Sequence, residues 1–83
     1  MSNLDTETQW MHIFAFRYAL GRQSSAPGIV AEYIGKNLKQ HTLFNLQLFD
    51  REITEYLKDP YGYTSDWIEL QGKIQEELKS RSR

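Results

Sequence analysis

The run Trp10-Met11-His12-Ile13-Phe14-Ala15-Phe16-Arg17-Tyr18-Ala19-Leu20, stopped by Gly21, decides the fold. It is apolar at almost every position and too long for an ordinary strand, and a glycine just past its end is a helix stop signal. Ile13, Phe14, Phe16 and Tyr18 also favour sheets, yet nothing later in the chain offers a clear partner strand. The run therefore reads as a buried helix.

Working outward, the linker Gly21-Arg22-Gln23-Ser24-Ser25-Ala26 carries turn chemistry. Ser24 or Ser25 is expected to cap a second helix that has Pro27 in its first turn and runs to about Leu38. Ile29, Val30, Tyr33, Ile34 and Leu38 form its apolar stripe, opposite Glu32, Lys36 and Asn37. Thr42 is the expected cap of a third helix, in which Leu46, Phe49, Ile53 and Tyr56 follow three-four-three spacing, widened by Leu43 and Leu57. Asp59-Pro60 ends it, because the residue before proline avoids helical geometry. After Pro60-Tyr61-Gly62-Tyr63, Asp66 with Glu69 three residues on reads as a capping box, and Trp67, Leu70, Ile74 and Leu78 supply the buried face of a fourth helix. The expected fold is all-α: a compact bundle of about four short helices with a central apolar first helix. It forms a single helical domain over residues 1–83, with flexible ends near 1–6 and 79–83.

With 83 residues the chain holds one small core, worth about 3–5 kcal/mol, so partner-bound or oligomeric states are in keeping with its size. Cysteine is absent, which excludes disulfides and thiolate metal sites and fits a reducing cytoplasm. The start Met1-Ser2-Asn3-Leu4-Asp5-Thr6-Glu7 is polar and acidic, the opposite of a signal peptide. No apolar stretch approaches the roughly 20 residues of a membrane span. Ten basic against eleven acidic residues leave a net charge of −1, so no global field draws the chain to phosphate backbones. Lys79, Arg81 and Arg83 gather at the end and read as a frayed, solvated tail.

Catalytic constellations are not found. There is no phosphate-cradling glycine loop and no nucleophile elbow, and the two histidines, His12 and His41, are too few for a metal site. Glu52 and Glu55 share a helix face without a partner acid–base group, so neither an enzyme nor a cofactor is expected. Arg17 stands out because it interrupts the apolar run and is costly to bury alone, with Asp50, Glu55 and Asp66 as possible acceptors. Arg17 and Arg22 also flank a helix end, where planar guanidinium groups grip acidic partners or phosphate. Trp10, Phe14, Phe49, Tyr56 and Trp67 sit at helical spacing and read as core. Tyr61 and Tyr63 flank Gly62 in a turn, a position that suits protein contact and equally suits closure over the core.

Phe16-Arg17-Tyr18-Ala19-Leu20-Gly21-Arg22, with Ile29-Val30 and Asp66-Trp67 following, resembles small uncharacterised proteins of bacteria and their phages that carry an F-R-Y-A-L-G-R helix. Those proteins often place an aromatic shortly after the second arginine, where this chain has Gln23-Ser24-Ser25. The resemblance implies a phage or mobile-element inhibitor or adaptor that binds a host or defence protein, a CRISPR effector being one target of that class. From these observations the expected function is a noncatalytic protein-binding module using Arg17, Arg22, Tyr61 and Tyr63. The alternatives are a helix-turn-helix nucleic-acid regulator presenting Asn45, Gln47 and Arg51, and a self-associating structural phage component.

Overall fold

A computed structural model describes residues 5–22 and 24–82. These residues form four α-helices, α1 (Thr6–Ala19), α2 (Ala26–Lys36), α3 (Leu43–Lys58) and α4 (Ser65–Arg81), with a single 3-10 turn at Leu38–Gln40 and no strand among them. The all-α bundle read from the sequence is the observed architecture. No described helix is long and apolar enough to cross a membrane.

Local chemistry accounts for most helix ends. Asp5 accepts a 2.7 Å hydrogen bond from the Thr8 amide and caps α1, and this bond lowers the Asp5 carboxyl pKa. At the other end the Arg22 amide donates to the Ala19 carbonyl at 2.9 Å, closing a type II turn in which Gly21 supplies the positive φ of 86°. Thr42 caps α3 through the Asn45 amide at 3.2 Å, and Pro60 follows the end of α3 as expected. Three boundaries differ from the sequence reading, the first being the start of α1 at Thr6, ahead of Trp10. Helix α2 stops at Lys36, so Leu38 reaches the core from the 3-10 turn. Asp66 lies in the first turn of α4, whose cap position is Thr64 without a side-chain bond.

The packing pairs run in a definite sense. The close pairs Gln9–Asn45 and Arg17–Glu52 make α1 and α3 parallel, while Gly28–Asp66 and Gly35–Lys73 make α2 and α4 parallel. Gln71 of α4 donates to Asp50 and Thr54 of the antiparallel α3. The chain thus runs up-down-up-down, but the ring order is α1, α2, α4, α3, with α4 making the most extensive contacts, against α2 and α3. Phe16, Phe49 and Trp67 meet at the centre, with ring centroids 5.0 Å (Phe16–Phe49) and 5.3 Å (Phe16–Trp67) apart. The buried apolar side chains form one contiguous cluster.

Helix α1 is not enclosed on all sides, contrary to the expectation of a central apolar helix. It buries only His12, Ile13, Phe16 and Ala19, one stripe at helical spacing. Trp10 and Phe14, read as core, are 52% and 62% exposed, and Met11 and Tyr18 are exposed as well. Ile29, Tyr33 and Leu43, assigned to buried stripes, also face outward. A bundle this small has too few helices to surround one of its members, so the surplus apolar side chains remain outside.

The expected flexible ends fall in two parts. Residues 1–4 and 83 lie outside the described residues, whereas Thr6 opens α1 and Lys79 and Arg81 belong to α4. Arg81 is no free tail charge. It pairs with Glu77 at 2.9 Å and donates to the Leu38 and Lys39 carbonyls at 3.1 Å, closing the 3-10 turn onto α4.

Candidate protein-binding groove

Because α1 and α3 run parallel and touch sparingly, a groove of about 540 Å³ opens between them. Trp10, Ile13 and Arg17 line it from α1, and Phe44, Leu48 and Arg51 line it from α3. Each trio follows one-sided helical spacing, and the parallel sense puts both rings at one end and both guanidinium groups at the other. Phe44 is 70% exposed, so the aromatic end is open to solvent. Trp10 also stacks on Phe14 at 5.8 Å, extending the rim along the outside of α1.

Arg17 occupies the cationic end. Its side chain is half exposed and meets Glu52 at 3.5 Å, so the carboxylate that satisfies it is none of the three named from the sequence. The premise that burial forces Arg17 to find a partner does not hold, because only one face of α1 enters the core. Arg51 is exposed and pairs with no carboxylate among the described residues. The groove lining includes no aspartate or glutamate, in a chain with eleven acidic residues.

The other candidate residues cluster at the end of the bundle where α1 stops. Arg22 lays its guanidinium 4.3 Å from the Tyr18 ring centroid and donates to the Tyr18 carbonyl at 3.0 Å. Tyr61 covers Gly21, leaving no space for a Cβ there, and its hydroxyl donates to the Leu20 carbonyl at 3.4 Å. Gly62 lies directly on the Gly21 carbonyl. The Tyr56 hydroxyl holds this loop from beneath, accepting from the Gly62 amide and donating to the Tyr63 carbonyl, both at 2.9 Å. Tyr61 thus closes over a turn and Tyr63 leaves its ring exposed, while Arg17 stands apart on the α1–α3 face. Of the helix-turn-helix residues, Gln47 and Arg51 face outward and Asn45 is buried.

One constellation was missed by sequence reasoning. His12 and His41 are 5% and 1% exposed, with His12 Nδ1 2.7 Å from His41 Nε2. Asn45 Nδ2 donates to Gln9 Oε1 and lies 3.4 Å from His41 Nδ1, a position that suits that nitrogen as an acceptor when His41 is the Nε2–H tautomer. His41 Nε2 then carries the proton and donates to His12 Nδ1. In that tautomer the His12 proton is left on Nε2, which is buried near the Tyr33 ring without a hydrogen-bond partner among the described residues. Burial lowers the His12 pKa. Burial first, then the charges of His12 and Arg81, lower that of His41 to about 4. Both rings are neutral near pH 7, and among the described residues no group of three potential ligands gathers to hold a metal.

Comparison with protein-family models, curated proteins and solved structures finds no match for the chain.

Proposed function

We propose that the chain acts by binding another protein, with the α1–α3 groove and its aromatic rim as the contact surface. The observation that carries this reading is the outward display of Trp10 and Phe44 beside the buried Ile13 and Leu48 of the groove, with Phe14 stacked on Trp10. A small fold gains nothing in stability from solvent-facing aromatics, and such residues dominate the energetics of protein interfaces. The heptapeptide Phe16–Arg22 extends the proposal to a phage or mobile-element inhibitor or adaptor that acts on a host or defence protein. The surface moves from the residues first singled out. Arg17 remains in it, whereas Arg22 and Tyr61 have intramolecular partners that hold the end of α1.

Affinity capture of the tagged protein from bacterial lysate, with and without nuclease, tests the reading. The expected result is a stoichiometric, nuclease-resistant partner that is lost with Trp10→Ala or Phe44→Ala. Recovery that disappears with nuclease, or a partner retained equally by both variants, would overturn it.

A further inference from the structure

The shape and charge of the groove restrict what fits it, granted the protein-binding reading above. Arg17 lies seven positions after Trp10, and Arg51 seven after Phe44, a rise of about 10 Å along each helix. That is two turns, the length over which a helix lays down side chains at i, i+3 or i+4, and i+7. The buried Ile13 and Leu48 give the groove an aliphatic patch that takes apolar anchors rather than stacked bases, beside the Gln9–Asn45 hydrogen bond that spans α1 and α3. At the cationic end the charge is unbalanced. Glu52 offsets Arg17 from outside the groove at 3.5 Å, and the Arg51 charge has no counterpart among the described residues. A guanidinium offers five donors in a fork that matches a carboxylate.

We propose that the groove receives an amphipathic helix of the partner protein, with two apolar side chains seated between Trp10 and Phe44 over Ile13 and Leu48, and an Asp or Glu one turn beyond them that meets Arg51 and Arg17. The carboxylate gives the helix its direction in the groove, because both arginines lie at the same end. An apolar helix without the acid would seat in either sense.

A displayed library of helical 14-residue peptides, selected against the full chain, tests this. The expected enriched sequences carry apolar residues at i, i+3 or i+4, and i+7, with an Asp or Glu flanking one end of the stripe. Purified examples should shift the amide resonances of Trp10, Ile13, Leu48 and Arg51. Their affinity should fall at least tenfold with Phe44→Ala, with Arg51→Glu, or when the acid of the peptide is changed to its amide. Arg51→Glu selected afresh should enrich Lys or Arg at the same position. Enrichment without an acidic bias, resonance shifts confined to another face, or an oligonucleotide that moves the same resonances with equal affinity would each overturn the proposal. So would failure of the library to yield any binder, and the capture experiment would then still decide separately whether the chain binds a protein at all.

Discussion

His12 Nδ1 and His41 Nε2 lie 2.7 Å apart inside the bundle, a distance that a single N–H···N hydrogen bond spans. The arrangement accommodates only neutral rings. A second proton on His41 would face the Asn45 amide donor, and one on His12 would face the proton already supplied by His41. Acid should therefore destabilise the fold. The folded-state pKa of His41 is depressed from 6.5 to about 4, so the stability held above pH 6.5 is lost as pH falls from 6.5 toward 4, where the unfolded chain binds the extra proton. A shift of this size corresponds to about 3 kcal/mol at most. Urea unfolding at pH 7.5, 6, 5 and 4.5 should show a falling midpoint, and imidazole resonances should report His41 as neutral at pH 6. A flat midpoint across that range would contradict the buried pair.

Gly21 and Gly62 are each favoured over any residue with a side chain, for different reasons. Gly62→Ala drives a methyl group into the Gly21 carbonyl, and Gly21→Ala combines a disfavoured positive φ with overlap on the Tyr61 ring. Each should cost about 1–3 kcal/mol, visible as a lower Tm in a thermal melt. Tyr61→Ala should relieve part of the loss in Gly21→Ala, because the obstructing ring is gone. Strictly additive effects would exclude the overlap as its cause.

Tyr56→Phe removes one hydroxyl that serves two backbone groups, the Gly62 amide and the Tyr63 carbonyl. A loss of about 1–3 kcal/mol is expected, with faster hydrogen exchange at Gly62 than in the unaltered protein.

Arg17→Ala should leave the Tm within a few degrees of its original value, because an exposed pair such as Arg17–Glu52 contributes about 0–1 kcal/mol. Phe44→Ala, at an exposed position, should behave similarly in the melt. Both should weaken binding of a captured partner at least tenfold. A large drop in Tm for either would reassign the residue to holding the fold.

The helix count and most helix ends were legible because they are written locally, in Gly21, Thr42 and Pro60. The buried face of α1 was not. When nearly every residue from Trp10 to Leu20 is apolar, hydrophobic spacing no longer marks a side, and the neighbouring helices decide which stripe is covered. The histidine pair joins positions 29 apart in the chain and depends wholly on how α1 meets the 3-10 turn. For the groove a signal did exist. Trp10, Ile13 and Arg17 repeat nearly the spacing and chemistry of Phe44, Leu48 and Arg51, but the likeness gains meaning only once the two helices are known to lie side by side in the same direction.

That parallel pairing has a consequence for how any such surface would behave in the cell. Helices that point the same way cannot be joined by a tight hairpin, so the walls of the groove come from segments separated by the whole of α2. No nascent chain or proteolytic fragment shorter than α1 through α3 contains both walls, and α4, packed against both α2 and α3, links the two walls on the other side of the bundle. Occupancy of the groove would draw on the intact tertiary structure alone and would be lost in a single step when the bundle opens. A bound ligand should therefore raise the apparent stability of the entire chain in proportion to the logarithm of its concentration.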